Sequence, residues 1–405
     1  MLPPATDPEH AMALPPLVEP GPPLNPEEVT RFSRHVLVPT IGTEGQRRLR
    51  AARVLVVGAG GLGSPVLLYL AAAGVGTLGI VDDDLVDTSN LQRQIVHGSA
   101  DLGRPKTTSA AESVRGIQPL VTVIEHRERL TAANALDVIA GYDLVIDGTD
   151  NFPTRYLVND ACVLAGKPLV WGSILRWDGQ VSVFWADPPA GYQGVHYRDV
   201  FPEPPAPGTV PSCAEAGVFG VVCGSIGSAM ATEAVKLICG VGEPLLGRML
   251  VLDALTARWR EIPLRPAPGR LPVTALTDEA VACAVPGEVS SATSPPEAID
   301  AVTLARRLAA RERGEDDFDL VDVRKPAERE LVTIPGARSI PLAAFLDGTA
   351  FDRLDPERTV VLHCKLGGRS AQAQAIALDR GYRAVQLTGG VLGWVDQIDP
   401  SLPRY

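Results

Sequence analysis

The chain has 405 residues, of which 45% are hydrophobic and 21% charged, and its 48 acidic and 37 basic residues give a net charge of −11. The length suits about two or three domains, and the acidic balance disfavours nucleic acid or an anionic membrane as the main partner. None of the six cysteines forms a C-x-x-C pair. We therefore expect no disulfide framework, and a reducing, cytoplasmic location.

Composition divides the chain into four segments. Residues 1–24, rich in proline, are predicted to be a disordered tail. Residues 25–283 and 298–405 are predicted to be two α/β domains, and the Pro- and Ser-rich segment 284–297 is predicted to be a linker. The most apolar stretch, 217–231, is too short to span a bilayer and predicts a buried helix.

The first domain alternates predicted strands and helices. Asn25 is the expected N-cap of a helix over 26–34. The predicted strands are 53–57, 76–81, 121–124, 144–146, 169–171 and 180–184, followed by two late antiparallel strands at 249–252 and 257–262. Alternation of this kind predicts a mainly parallel, doubly wound, Rossmann-like sheet, which binds ligands beyond the carboxyl ends of its strands.

The second domain has the same pattern on a smaller scale. Buried-type strands are predicted at 318–322, 359–363 and 384–387, and a helix is predicted at 370–378. A small α/β fold follows from these elements.

A glycine turn, Gly58-x-Gly60-Gly61-x-Gly63, lies between a strand and a helix. Glycines let the backbone approach a phosphate, and the helix N-terminus favours negative charge. Asp82 follows the next strand, where an acid can bind ribose hydroxyls. These features alone suggest a dinucleotide cofactor.

The residues that follow favour ATP instead. Arg93 and Lys106 together could neutralise a triphosphate, and Asn90 lies beside them in sequence. Asp150, at a strand end, could hold the metal that a triphosphate needs. Taken singly, these residues are as well explained as surface charges and a helix cap, so the argument depends on the ordered set.

These motifs, with Thr149-Asp-Asn151 and Cys213-Ala-Glu-Ala-Gly217, resemble the adenylation domain of ubiquitin-activating-enzyme-like proteins, in particular the molybdopterin-synthase and thiamine-pathway adenylyltransferases. The resemblance covers residues 26–264. It implies that ATP activates the C-terminal glycine of a ubiquitin-like sulfur-carrier protein ending in Gly-Gly, giving an acyl-adenylate. The residues that it implies for Mg-ATP binding are Gly58, Gly60, Gly61, Asp82, Ser89, Asn90, Arg93, Lys106, Asp150 and Asn151. It also implies a homodimer in which Arg34 reaches the phosphates of the partner protomer's site.

Many such relatives hold a structural zinc ion with two C-x-x-C pairs. Here the first region, 194–201, has no cysteine, and the second, 265–286, has only Cys283. One cysteine cannot close a tetrahedral site with the single nearby histidine, so we expect no zinc.

A second constellation surrounds Cys364 in His363-Cys-Lys-Leu-Gly-Gly-Arg-Ser370. The cysteine is expected to end a strand, with its sulfur facing loop amides and a helix N-terminus that stabilise an anion. Lys365 or Arg369 could add positive charge. An isolated cysteine is more often structural, but the glycines and the arginine that follow favour catalysis.

This loop resembles the active-site loop of rhodanese sulfurtransferases, as do Leu320–Arg324, Ile334–Pro341 and Gly389–Trp394, over residues 298–405. The resemblance implies that Cys364 carries a persulfide. The resemblance of the first domain to the adenylyltransferases implies that Cys213 is a second thiol acting at the acyl carbon, although a structural role for Cys213 stays open.

Joined in one chain, the two domains predict an adenylyltransferase and sulfurtransferase that makes a carrier thiocarboxylate for molybdopterin or another sulfur-containing product. The sulfur donor would be thiosulfate or a cysteine desulfurase persulfide. Two alternatives stay open at this point: a nicotinamide-dependent oxidoreductase, and a non-catalytic scaffold that docks a ubiquitin-like protein.

Overall fold

The computed structural model describes residues 14–205, 217–277 and 297–405, and the chain divides into two compact units, Met1–Gly287 and Glu288–Tyr405. The predictions for Cys213, for Cys283 and for most of the linker lie outside the described residues. The unit boundary falls within the segment predicted to be the linker.

The first unit is built on a mixed sheet. Its strands are β1 (Arg53–Val57), β2 (Thr77–Val81), β3 (Thr122–His126), β4 (Leu144–Asp147), β5 (Leu169–Leu175), β6 (Asp178–Phe184), β7 (Arg248–Asp253) and β8 (Arg258–Pro263). Within the described residues their order is β3-β2-β1-β4-β5-β6-β7-β8. The pairs from β3 through β5 are parallel, and β6 to β8 are antiparallel. The predicted doubly wound, Rossmann-like sheet is confirmed.

Helices cover both faces of this sheet, and two buried apolar clusters lie between the layers. They are α1 (Pro26–Val36), α2 (Gly42–Ala51), α3 (Gly63–Ala73), α4 (Lys106–Ile117), α5 (Ala135–Ala140), α6 (Phe152–Ala165), α7 (Tyr197–Val200) and α8 (Gly220–Cys239), with 3₁₀ turns at Thr88–Asn90 and Ser99–Asp101. Asn25 caps α1 as predicted, since its side chain accepts a hydrogen bond from the Glu28 amide at 2.9 Å.

The glycine turn brings the end of β1 and the start of α3 into backbone contact. Gly58 has φ +92°, a conformation that favours glycine, and a Cβ built on Gly63 would lie 1.8 Å from the Gly58 carbonyl oxygen. Any side chain at Gly63 would therefore push α3 away from β1. The turn needs its glycines for the fold as well as for ligand access.

Helix α8 corrects one expectation. It has 20 residues and, by length and hydropathy alone, is the one helix within the described residues long and apolar enough to cross a membrane. It packs against α3, β5 and β6, and Ile226, Met230 and Ala234 are buried in the core. The prediction of a buried helix is confirmed, whereas the prediction that the apolar segment is too short is wrong.

Residues 14–24 also differ from expectation. Leu14 is buried, the Leu17 amide donates to the Leu237 carbonyl at 3.0 Å, and the Gly21 carbonyl accepts from the Arg47 side chain at 2.7 Å. The prediction of a disordered tail is wrong for this part of segment 1–24, because a proline-rich segment can be held by burial of an apolar side chain and a few hydrogen bonds to distant residues. Residues 1–13 lie outside the described part.

The second unit has a parallel sheet. Its strands are β9 (Ala298–Ile299), β10 (Phe318–Asp322), β11 (Arg338–Ser339), β12 (Thr359–His363) and β13 (Ala384–Leu387), and its helices are α9 (Ala301–Glu312), α10 (Pro326–Leu331), α11 (Leu342–Leu346), α12 (Gly368–Asp379) and α13 (Gly390–Gln397), with a 3₁₀ helix at Thr349–Arg353. The described strands pair in the order β11-β10-β12-β13-β9. The predicted α/β class is confirmed here too.

Candidate active sites

A cavity of about 360 Å³ opens at the carboxyl ends of β1, β2 and β4 in the first unit. It is lined by most of the residues predicted to bind nucleotide: Gly58, Gly60, Gly61, Asp82, Asn90, Arg93, Lys106, Asp150 and Asn151. These residues span more than ninety positions in sequence, and the parallel sheet brings them together because its strand ends meet at one edge. The volume is in the range of a small-molecule ligand site.

Asp82 is held against the glycine turn. Its carboxylate accepts hydrogen bonds from the amides of Ala59 and Asp84, both at 2.9 Å, and burial raises the pKa of this carboxyl group. A carboxylate can accept about four hydrogen bonds, so two acceptor positions remain for ribose hydroxyls.

Lys106 supplies a buried cation to the cavity wall. It is 5% exposed, and its Nζ donates to an Asp84 carboxylate oxygen at 2.7 Å. The Lys106 amide also donates to the Asp84 carbonyl at 3.0 Å. These two contacts aim an otherwise flexible side chain at the cavity, as expected of a phosphate ligand.

Arg93 and Asn90 also line the cavity. Arg93 donates from Nη1 to the Ser89 carbonyl at 2.9 Å, and the Asn90 side chain accepts from the Asp87 amide at 3.1 Å. Ser89 does not itself line the cavity, and its hydroxyl donates to Asp87 at 2.6 Å. Arg34, exposed on α1, is also absent from the lining of this cavity.

Sequence reasoning missed Arg155. It lines the cavity, is 7% exposed, and donates to the Thr149 carbonyl from Nη2 at 2.9 Å and to the Ser173 hydroxyl at 3.2 Å. Buried Asp147, whose carboxyl pKa is raised by burial, accepts from both the amide and the hydroxyl of Thr149. Thr149, which precedes Asp150, is therefore held from two sides. The sequence signal that could have identified Arg155 was the place of this residue in the first turn of α6, because that turn faces the same strand ends.

The second candidate site lies where β12 ends. Cys364 is 2% exposed, and its Sγ accepts from the Gly367 amide at 3.1 Å and from the Ser370 hydroxyl at 3.6 Å. The Cys364 carbonyl accepts from the Val391 amide at 2.8 Å, and a Cβ on Gly390 would come within 2.5 Å of it. One loop amide and one hydroxyl at the start of α12 thus donate to the sulfur, which is part of the predicted geometry.

Arg369 pairs with a carboxylate on α10. Its guanidinium makes two contacts of 2.7 Å with the Glu328 carboxylate, the bidentate geometry of a strong pair. Its predicted direct role beside Cys364 thus stays a prediction, and its observed contacts fix the end of the loop onto α10.

Charged groups also underlie the loop. Arg324 and Asp322, both fully buried, pair at 2.6 Å. His363 lies 3.8 Å from Asp322, and burial lowers its pKa to about 4, so the ring is neutral at neutral pH. His363 is therefore a packing residue next to Cys364, as predicted.

The three other described cysteines, Cys162, Cys223 and Cys239, are buried in helices. Burial raises the pKa of the Cys239 thiol to about 11 and that of Cys162 still further. Their predicted role as core residues fits this burial.

Asp199 connects the two regions, 194–201 and 265–286, in which the paired cysteines of a zinc site are missing. Its fully buried side chain accepts from the amides of His196 and Ala267, both at 2.8 Å, and pairs with Arg270. Arg198, beside it, makes a bidentate pair with Asp160. An ionic network thus ties the segment around α7 to residues 267–270.

Asp199→Asn is expected to lower stability by about 3 kcal/mol, because the substitution replaces one carboxylate oxygen with an NH2 donor. One of the two amides then faces a donor in place of its acceptor, and the half-buried Arg270 guanidinium loses its counter-charge. For a unit of this size that is a fall in Tm of about 5–10 °C. Calorimetry with and without a chelator measures it, with exposed Asp187→Asn as the matched control. We expect charged side chains, and no metal ion, to hold these two segments together. A chelator that lowers Tm, or about one zinc per chain by elemental analysis, would contradict this expectation.

Two family descriptions match the chain. The ThiF family matches residues 32–273, and the rhodanese-like domain matches residues 305–397. Together they cover both candidate sites.

Full-length relatives combine the same two parts. The probable adenylyltransferase/sulfurtransferase MoeZ of Mycobacterium tuberculosis is 52% identical over 97% of this chain and 99% of its own length. Adenylyltransferase and sulfurtransferase MOCS3 of Mus musculus is 39% identical over 98% and 92%. The sulfur carrier protein adenylyltransferase of Thermus thermophilus, 53% identical, covers 61% of this chain.

Solved structures resemble the first unit only in fold. MccB of E. coli superposes with a TM-score of 0.52 at 20% identity, covering 59% of this chain and 73% of that one.

Proposed function

Because the chain belongs to the ThiF family and carries a rhodanese-like domain, as its full-length relatives do, we propose that this adenylyltransferase and sulfurtransferase converts the C-terminal glycine carboxylate of a ubiquitin-like sulfur carrier to a thiocarboxylate. The observation that carries the proposal is that one chain holds both a cavity lined by Asp150, Arg93 and Lys106 and a buried Cys364 whose sulfur accepts from the Gly367 amide and the Ser370 hydroxyl. Neither the oxidoreductase nor the scaffold alternative explains both.

In the first reaction, a carboxylate oxygen of the carrier attacks the α-phosphorus of ATP, and pyrophosphate leaves with the electron pair of the broken P–O bond. Arg93 and Lys106 would bind the phosphates, and the glycine turn would let them approach the backbone amides of α3. Asp82 would bind the ribose. The Asp150 carboxylate suits Mg²⁺, which prefers oxygen ligands and would offset phosphate charge.

In the second reaction, the Cys364 thiolate takes the outer sulfur atom of the donor, and with thiosulfate the leaving group is sulfite. The terminal sulfur of the persulfide then attacks the acyl carbon and AMP leaves, which forms an acyl disulfide with Cys364. A thiolate attacks the Cys364 sulfur and releases the carrier thiocarboxylate. Cys213 is our candidate for that thiolate, and the resulting disulfide is reset by an external dithiol.

The test is to incubate small proteins ending in Gly-Gly with the enzyme, ATP and thiosulfate, and to measure their masses by mass spectrometry. A mass gain equal to replacing one oxygen with sulfur supports the proposal. Carrier that stays unchanged, although the enzyme consumes ATP with it, would refute sulfur transfer.

We further propose that the enzyme acts in the cytoplasm. We also propose that it is a homodimer with shared sites, because Arg34 is exposed and does not line the cavity of its own chain. Mixing Arg34→Ala protomers with Asp150→Ala protomers should restore about one intact site per heterodimer and hence part of the ATP–pyrophosphate exchange. Each variant alone is the control. If mixing restores no activity under conditions where labelled subunits do exchange, the shared site is ruled out.

A further inference from the structure

His97 connects the glycine turn of the first unit to α4. It is 7% exposed, and its ring Nε2 lies 3.0 Å from the Ala59 carbonyl oxygen while its ring Nδ1 lies 2.8 Å from the Ser109 hydroxyl oxygen. None of these three residues lines the cavity at the ends of β1, β2 and β4. His97 can therefore act on a bound nucleotide only through its neighbours.

The two contacts fix the state of the ring. Burial lowers the pKa of His97, so the imidazole is neutral at neutral pH and has one N–H donor and one acceptor nitrogen. A carbonyl oxygen can only accept, which places the hydrogen on Nε2 and leaves Nδ1 to accept from the Ser109 hydroxyl. Both hydrogen-bonding groups of the ring are thus used, one toward the turn and one toward the helix.

On the side of the turn, Ala59 is held at both of its backbone polar groups. Its carbonyl accepts from His97, and its amide donates to the Asp82 carboxylate at 2.9 Å. Ala59 lies between Gly58 and Gly60, which both line the cavity. The position of the Asp82 carboxylate and the path of the glycine turn therefore depend on the same residue.

On the side of the helix, Ser109 leads to the buried lysine of the cavity wall. Ser109 lies in the first turn of α4, which begins at Lys106. The Lys106 ammonium donates to the Asp84 carboxylate at 2.7 Å, and the Asp84 amide donates to the Asp82 carboxylate at 2.9 Å. The contacts close a ring, which runs through His97, Ala59, Asp82, Asp84, Lys106 and Ser109.

The backbone of His97 holds the residue in place independently of its ring. The His97 amide donates to the Gln94 carbonyl at 3.0 Å, and the Gln94 amide donates to the Asn90 carbonyl at 2.9 Å. Asn90 and Gln94 line the cavity. A substitution at position 97 keeps these backbone contacts and so tests the ring alone.

We propose that His97 is a positioning residue for adenylation: its ring joins the glycine turn to α4 and so keeps the Asp82 carboxylate and the Lys106 ammonium at the spacing that a ribose and its phosphates require. The inference rests on the proposed function of the cavity as an ATP site. Asp82 and Lys106 would contact ATP before the reaction as well as during it. Loss of their alignment therefore weakens binding, which raises KM more than it lowers kcat.

The experiment measures the KM for ATP and the kcat of ATP–pyrophosphate exchange by the full chain with a small protein ending in Gly-Gly. His97→Leu should raise KM about tenfold and leave kcat within about twofold of wild type, because a buried carbonyl and a buried hydroxyl lose their partner. His97→Gln, whose side-chain amide can donate to the Ala59 carbonyl, should recover most of this loss. His196→Leu, which removes another buried histidine ring of the same unit, is the matched control and should keep the wild-type KM.

A double substitution separates positioning from a general loss of packing. Ser109→Ala should raise KM about threefold, and this effect should vanish in a His97→Leu background, because the hydroxyl then has no ring nitrogen to contact. A purely structural role of His97 would instead lower the fraction of folded enzyme, and hence the apparent kcat, with KM unchanged.

An unchanged KM in His97→Leu, or a Ser109→Ala effect of equal size with and without His97, would overturn the inference. If His97→Leu does not fold, Ser109→Ala decides, and a wild-type KM in that variant would overturn the inference. The affinity for ATP, measured by calorimetry without carrier, gives the same comparison without the reaction. Wild-type enzyme that binds ATP but exchanges no pyrophosphate with carriers ending in Gly-Gly would instead refute the proposed function.

Discussion

Cys364→Ala is expected to lose all sulfur uptake from thiosulfate and all thiocarboxylate formation, while carrier-dependent ATP–pyrophosphate exchange continues at the wild-type rate. The loss should be complete because the buried sulfur is the atom that the Gly367 amide and the Ser370 hydroxyl surround, and alanine offers no nucleophile. Exchange should persist because the nucleotide cavity is built from residues of the other unit. Sulfur uptake is measured by mass spectrometry and by release of thiocyanate with cyanide.

Cys213→Ala is the matched control for this substitution. It should keep sulfur uptake on Cys364 and slow only the release of thiocarboxylate. A persulfide mapped to Cys213, with Cys364 unmodified, would overturn the assignment and leave the hydrogen bonds of the Cys364 sulfur without a catalytic role.

Asp150→Ala is expected to reduce ATP–pyrophosphate exchange by at least about 10²–10³-fold, the usual cost of removing one positioned electrostatic group. The backbone of the preceding residue, Thr149, is fixed by Asp147 and Arg155, so the Asp150 side chain extends into the cavity from a fixed position. Sulfur uptake on Cys364 should be unaffected. Exchange is measured with labelled pyrophosphate in the presence of carrier.

Exposed Asp137→Ala, on α5, is the control for loss of one negative charge in the same unit. Exchange that survives in Asp150→Ala would show that the metal and phosphate contacts lie elsewhere in the cavity. Equal loss of exchange and of sulfur uptake in this variant would instead contradict the assignment of adenylation to the first unit and of sulfur uptake to the second.

Much of the fold could be predicted because its signals are local. Strand β1 matches its predicted bounds, since an uninterrupted β-branched run is typical of a strand buried on both faces. The glycine turn and the acids at strand ends predicted one shared cavity, because parallel strands present their carboxyl ends at one edge. These inferences need only the sequence and the geometry of the sheet.

The misses depend on contacts between distant residues. The carboxylate that pairs with Arg369 belongs to Glu328, 41 positions away, and the loop motif does not contain it. Asp199 and Arg270 are separated by 71 positions, and neither lies in a motif. Residues 14–24 have a disordered composition, yet the Leu17 amide donates to the carbonyl of the distant Leu237. A pattern read over a short stretch of sequence cannot include partners that lie so far apart in the chain.

The edge strand β9 determines where the second unit can be separated from the rest of the chain. The Glu297 carbonyl accepts from the Gln386 amide at 3.0 Å and from the Gln374 side chain at 2.8 Å, and Asp300 caps α9. The rhodanese-like match spans only residues 305–397. A fragment cut at those limits would expose the side of β13, uncap a helix and discard Tyr405, whose hydroxyl accepts from the buried Arg324. An excised sulfurtransferase unit should therefore start at or before residue 297 and run through residue 405.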